Sequence, residues 1–221
     1  MAETLNLIFS KSFEEVIWRI EISESGRLII LELRDEQKKK VKYSLVDLEL
    51  MTCQFVELPG VTWLTSIFSI SDEEVIFQQY KSTDNPEVEY YTSLTFSSSV
   101  ITNFNSKPEI GNLNTIVKSP SFYPGTSEYF KTFELFVYGS IGKEIIKTGV
   151  EYLEWNSDII ISFYCQEEGL ANYLLVVNQN KNKRLVECLG TDLKGIGRDT
   201  FCVVNNKLIF VKNKKELNIY R

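Results

Sequence analysis

Short runs of alternating hydrophobic and polar side chains, separated by turns, predict an all-β chain. Residues 16–22 alternate with a period of two, residues 23–26 (SESG) form a turn, and residues 27–33 supply a second strand. This order is typical of a β-hairpin, because a glycine in the turn takes a backbone conformation that other residues resist. The same strand–turn–strand unit recurs at residues 61–80, 150–165 and 200–212.

The turns repeat along the chain with a nearly constant period. Turn centres at residues 25, 73, 157 and 206 lie about 45 residues apart, with about twice that interval in the middle. The spacing predicts about five units in a single domain that covers residues 1–221. Residues 5–9 (LNLIF) are predicted to form an extra strand that pairs with the last unit and covers its edge. An irregular β-sandwich or barrel is the alternative architecture, since antiparallel hairpins at this spacing suit those folds too.

The repeated hairpins, the period of the turns and the closing N-terminal strand resemble a small β-propeller. By strand and turn pattern alone, the chain is similar to propeller-like repeat proteins of an uncharacterised bacterial family. The resemblance covers most of the chain, but the Gly-His and Trp-Asp signatures of WD repeats are absent. It implies about five blades of antiparallel strands, with the N-terminal strand closing the last blade, and it implies no activity.

Residues 97–127 interrupt the strand pattern and are rich in Ser, Asn, Pro and Gly. We predict a loop-rich insertion there, followed by a strand at residues 133–138 that residues 143–147 could pair with. The insertion leads into a cluster of rings, from which Phe122, Tyr123 and Tyr129 are the candidate binding residues. Rings on a loop held by a rigid scaffold supply contact area for a partner, and the alternative is that they cover the core or a sheet edge.

The composition narrows the possible chemistry. The chain contains no histidine, which excludes Ser-His-Asp and Cys-His catalysis and zinc held by histidine. Its four cysteines show no Cys-x-x-Cys spacing, and those in strand-like stretches are predicted to be buried free thiols. We therefore predict no metal and no cofactor. The 24 basic and 30 acidic residues give a net charge of −6, which disfavours nucleic acid as a partner.

No pair of carboxylates stands out as a catalytic pair. The alternation predicts that Glu32, Glu89, Glu134 and Glu187 lie on outward faces of their strands. The leading interpretation is a non-catalytic binding or interaction module for an unidentified protein or small molecule. The alternative is a carboxylate-dependent glycoside-acting enzyme on a five-bladed propeller, which would need two facing carboxylates.

The N-terminus lacks the basic and apolar regions of a signal peptide, and the apolar runs are too short to cross a bilayer. These features predict a cytoplasmic protein without a membrane partner.

Overall fold

The computed structural model describes residues 4–85, 87–108 and 116–221. Within these ranges the chain forms seventeen β-strands and one α-helix. The chain divides into two compact units. We call residues 13–117 the contiguous unit, and residues 1–12 with 118–221 the discontinuous unit. The prediction of a single domain stays a prediction.

The contiguous unit contains two four-stranded antiparallel sheets, in the orders β2-β3-β4-β5 and β6-β7-β8-β9. Its strands are β2 (Val16–Ile22), β3 (Leu28–Asp35), β4 (Lys40–Asp47), β5 (Thr52–Val56), β6 (Thr65–Ile70), β7 (Glu74–Tyr80), β8 (Val88–Thr95) and β9 (Ile101–Phe104). The predicted hairpin at residues 16–33 is confirmed as β2 and β3. Gly26, in the turn between them, has a φ of 68°, in the left-handed region that favours glycine.

The two sheets of the contiguous unit share an apolar core. Leu28 and Ile30 of β3 belong to the same cluster of buried residues as Ile67 of β6 and Phe77 of β7. The Phe77 ring lies 4.5 Å from the ring of Tyr43, measured between centroids. Full burial of each such side chain stabilises the fold by about 1.5–3 kcal/mol.

Glu32 lies inside this unit, so the prediction that it faces outward is wrong. It shares a face of β3 with Leu28 and Ile30, and none of its surface is exposed. Its carboxylate accepts hydrogen bonds from Arg34 Nε (2.6 Å), Ser66 Oγ (2.8 Å) and the Ile67 backbone N–H (3.1 Å). The polar position in an alternating strand therefore faces the neighbouring sheet and joins β3 to β6.

The discontinuous unit contains a four-stranded sheet, β1-β17-β16-β15, and a five-stranded sheet, β10-β11-β12-β13-β14. Its elements are β1 (Leu7–Ser12), β10 (Ser121–Tyr123), α1 (Phe130–Ile141), β11 (Val150–Trp155), β12 (Asp158–Gln166), β13 (Leu170–Asn178), β14 (Lys183–Gly190), β15 (Phe201–Val204), β16 (Lys207–Lys212) and β17 (Glu216–Tyr220). Buried side chains of both sheets, among them Ile160 and Phe210, form one cluster. A second cluster joins the five-stranded sheet to α1.

The N-terminal strand pairs with the last strand, as the sequence predicted. The observed strand, β1, begins and ends slightly later than the predicted residues 5–9. It pairs antiparallel with β17, from Leu7 opposite Tyr220 to Ser12 opposite Glu216. Backbone hydrogen bonds of 2.8 and 2.9 Å continue the ladder between Asn6 and Arg221. An edge of β17 that would otherwise offer unpaired backbone groups is thereby covered.

Residues 133–138 belong to α1, so the prediction of a strand there is wrong. The buried residues of the helix are Phe130, Phe133 and Val137, whose spacing places them on one helical face. Leu135 and Tyr138, on other faces, are 63% and 57% exposed. Aromatic and β-branched residues favour strands, but packing of this face on the five-stranded sheet decides in favour of a helix.

The described residues form four sheets, where the spacing of the turns predicted about five units. The spacing of the turns assigns two units to the long middle interval. It contains instead three strands of one sheet (β7, β8 and β9), followed by the three-residue β10, the helix α1 and the strand β11. Within the predicted insertion at residues 97–127, β9 and β10 are ordered strands, and residues 109–115 lie outside the described residues.

All four cysteines are free thiols, and the predicted full burial of Cys165, Cys188 and Cys202 is found at Cys165 alone. Cys165 is buried, whereas Cys188 and Cys202 are partly buried. Burial raises the pKa of Cys165 to about 11 and that of Cys202 to about 12. Over the described ranges, the chain contains no helix of the length and apolarity that crossing a membrane requires. The cytoplasmic location stays a prediction.

Candidate functional site

The short strand β10 places two of the three candidate rings on opposite faces of the five-stranded sheet. Phe122 is paired with Glu151, and Tyr123 is paired with Val150. Since directly opposed residues share a face and neighbours along a strand alternate, Tyr123 lies on the same face as Val150 and Tyr152. This is the face that α1 covers.

Phe122 packs into the structure on the other face. Gly149 has a φ of 128°, and a Cβ atom on it would lie 2.4 Å from the Cζ atom of the Phe122 ring. The guanidinium carbon of Arg198 lies 4.2 Å from the centroid of the same ring. Phe122 is thus held between a glycine and an arginine and is separated from the other two candidate residues.

Tyr123 and Tyr129 meet in a groove between α1 and the five-stranded sheet. The centroid of the Tyr123 ring lies 5.1 Å from that of Phe133, and 6.0 and 6.1 Å from those of Tyr129 and Tyr152. The Tyr129 and Tyr152 rings both stand at 86° to the Tyr123 ring. The cavity has a volume of about 370 Å³. We call it the aromatic groove; it is lined by Tyr123, Tyr129, Thr132, Phe133, Phe136, Tyr152, Glu154, Ile159 and Ile161.

The walls of the aromatic groove follow from sheet register and helix spacing. Tyr152 and Glu154 of β11 are opposite Ile161 and Ile159 of β12, so all four side chains lie on the face toward α1. The helix contributes Thr132, Phe133 and Phe136 to the lining. Tyr129, which also lines the groove, is the N-cap residue of the helix, and it is 55% exposed. Its open ring gives the groove a side that a ligand can reach.

Glu154 is the lining residue that carries a charge. Its Oε1 atom accepts a hydrogen bond of 2.6 Å from the hydroxyl of Tyr152. Partial burial, followed by this bond to a carboxylate, raises the pKa of Tyr152, so the phenol stays protonated at neutral pH. The groove thus combines aromatic faces with one carboxylate at its rim.

Two of the candidate residues predicted from the sequence, Tyr123 and Tyr129, line the groove, whereas the contributions of β11 and β12 were not predicted. The pattern Tyr152-x-Glu154 is that of an outward strand face, and this was the available signal. Its link to Tyr123 requires the register of β10 on β11, which the sequence does not encode locally.

Glu151, on the face of β11 away from the groove, is a buried carboxylate with structural partners. It accepts hydrogen bonds from the backbone N–H of Asp199, and from the N–H (3.1 Å) and hydroxyl (2.5 Å) of Thr200. Paired-carboxylate hydrolysis requires two carboxyl groups about 5–10 Å apart across a cleft. The aromatic groove presents Glu154 alone, and the glycoside-acting alternative stays a prediction. In the part of the chain that the structure describes, no three metal-ligating side chains converge.

Comparisons with known proteins leave the family open. No family model matches the chain, and none of the curated proteins matches it. Among solved structures, the chain is similar to the crystal structure of TolB from Acinetobacter baumannii, with 10% sequence identity and a TM-score of 0.31. The match covers 96% of this chain and 45% of that one, so this chain spans less than half of that protein's length. A likeness this weak assigns neither fold nor function.

Proposed function

We propose that this protein is a non-catalytic binding module that holds a small molecule in the aromatic groove. The observation that supports the proposal is a cavity of about 370 Å³ whose walls are rings and aliphatic side chains from a helix and a sheet. Small-molecule sites are typically concave, mostly apolar and about 300–1,000 Å³ in volume. Helix and strand residues provide the walls, so the shape is largely formed before a ligand arrives.

The fluorescence of N-phenyl-1-naphthylamine, a neutral apolar probe, tests the groove directly. We expect the wild-type protein to enhance its fluorescence saturably. Thr132→Trp places an indole in the groove from an exposed helix position and should weaken probe binding by about tenfold or more. Leu135→Trp is the matched control, because Leu135 lies on the same helix, is 63% exposed and is outside the lining. Equal binding by the two variants would place the probe elsewhere and reject the groove as the site.

The same assay distinguishes the roles of the candidate residues Tyr129 and Phe122. Tyr129→Ala removes an exposed ring and should weaken probe binding while leaving the melting temperature nearly unchanged. Phe122→Ala should destabilise the protein by about 2 kcal/mol, since a half-buried ring is removed from Gly149 and Arg198. Loss of probe binding in a fully folded Phe122→Ala protein would contradict this assignment.

We also propose that the fold is β-propeller-like, with the four antiparallel sheets as its blades and the whole chain as one domain. The closing of the last sheet by β1 supports this proposal. Calorimetric unfolding tests the single domain: one transition with equal calorimetric and van't Hoff enthalpies is expected, and two separated transitions would refute it.

A further inference from the structure

We propose that the aromatic groove selects ligands with an alkylated ammonium group, and specifically small molecules that carry a trimethylammonium head. The inference rests on the proposed function and names the class of ligand. It is carried by the arrangement of the rings together with the charge of Glu154.

The rings of the groove stand at steep angles to one another, as the walls of an aromatic cage do. Tyr129 and Tyr152 stand at 86° to the Tyr123 ring, and Phe133 is inclined at 52° to Tyr152 and 56° to Tyr123. A cation held there is attracted by the faces of the rings, because the face of an aromatic ring is negative and its edge is positive. The attraction of each ring face for a cation strengthens as the site is desolvated.

The charge around the groove is complementary to a cation. Glu154 supplies the negative charge of the lining and remains an acceptor while Tyr152 donates to it. The neighbouring cation on the helix, Lys131, is outside the lining and forms an ion pair of 2.9 Å with Glu134. The net charge of −6 adds a weaker long-range attraction.

A trimethylammonium head fits better than a primary amine. Its methyl groups contact the apolar walls of Ile159 and Ile161, and its diffuse charge loses less hydration on entering the groove than an –NH₃⁺ group would. An –NH₃⁺ group has three N–H donors to satisfy, and Glu154 is the one charged acceptor of the lining, whose other acceptors are the hydroxyls of Thr132 and the tyrosines.

Competition between choline and 3,3-dimethyl-1-butanol tests the inference, because the two molecules share a shape and differ in charge. Each displaces N-phenyl-1-naphthylamine from the wild-type protein at an ionic strength held constant with sodium chloride. We expect choline to bind at least about tenfold more tightly. A purely apolar groove would favour the neutral alcohol, so equal or reversed affinities overturn the inference while leaving probe binding, and with it the proposed function, intact.

Three variants locate the selectivity. Glu154→Gln should reduce the preference for choline about fivefold and leave the affinity for the alcohol unchanged. Tyr129→Ala should weaken choline binding, whereas Tyr138→Ala should not, because Tyr138 is an equally exposed tyrosine near the other end of α1 and outside the lining. A choline preference that survives Glu154→Gln and Tyr129→Ala unchanged would refute the cage.

Discussion

Replacing Glu32 with alanine should strongly destabilise the contiguous unit. The substitution removes the 2.6 Å bond from Arg34, whose side chain is 11% exposed, and leaves a buried guanidinium without its carboxylate. It also removes the acceptor of the Ile67 backbone N–H. Breaking a buried ion pair by deleting one partner costs about 3–5 kcal/mol. Arg34 keeps its bonds to the carbonyls of Trp63 and Thr65, which offset part of this cost. We therefore expect the free energy of unfolding to fall by about 4 kcal/mol.

The matched control is Glu21→Ala on the adjacent strand. Glu21 accepts a bond of 2.7 Å from Arg19, again two residues away in the chain, but these side chains are 35% and 39% exposed. An exposed pair of this kind contributes about 0–1 kcal/mol. The two substitutions therefore remove the same chemical group from the same kind of pair, and they differ in burial and in the two bonds that Glu32 also accepts from β6.

Urea unfolding measures the difference between these variants. In a Trp155→Phe background, the remaining tryptophans, Trp18 and Trp63, both belong to the contiguous unit, and their fluorescence follows its unfolding. We expect Glu32→Ala to be less stable than Glu21→Ala by about 3 kcal/mol. Amide exchange at Ile67 should accelerate in Glu32→Ala only. Stabilities that agree within about 1 kcal/mol would refute the reasoning that Glu32 joins the two sheets.

Three further predictions concern backbone, thiol and pH. Gly139→Ala should stabilise the protein by about 0.5–1 kcal/mol, because Gly139 lies in a helix and an added Cβ meets nothing within 4 Å. Gly125→Ala should destabilise the protein, because an added Cβ would lie 2.3 Å from a backbone oxygen. Thermal melts of the two variants test both predictions. Iodoacetamide at pH 8 should alkylate Cys165 about 100-fold more slowly in the native protein than in urea, since burial raises the pKa of the thiol from 9.0 to about 11; equal rates by mass spectrometry would contradict its burial. Burial alone would raise the pKa of Asp47, but hydrogen bonds from Arg27 and from backbone N–H groups lower this pKa below 3.8. The carboxylate of Asp47 therefore contributes its full stabilisation above pH 3.8. This contribution is lost as the pH falls through the lowered pKa of the folded protein. Asp47→Asn should remove this part of the acid dependence of unfolding.

The sequence predicted elements whose signals are local. The hairpin at residues 16–33 carries its own alternation and its own glycine turn, and both are found in the structure. The helix α1 was missed because Phe, Val and Tyr favour strands, while its buried face exists only against the five-stranded sheet. Glu32 was misplaced because alternation identifies two faces of a strand but not which of them meets another sheet.

The aromatic groove shows the same limit. Tyr123 and Tyr129 are close in sequence, and their cluster of rings was visible there. Tyr152 and Glu154 join them through pairing of β10 with β11, across a segment that includes the whole helix. Phe122, next to Tyr123, is directed to the opposite face by the alternation of the strand.

The pairing of β1 with β17 constrains the order in which the chain can fold during synthesis. The contiguous unit is a single segment, so its contacts can form as soon as residue 117 has left the ribosome. The strand β1 emerges before that unit, yet its partner, β17, is made more than 200 residues later. Until then its backbone must stay solvated, and closing the discontinuous unit brings together residues more than 200 positions apart. Formation of this sheet therefore depends on a strand pairing across more than 200 residues, whereas the contiguous unit is built from one continuous segment.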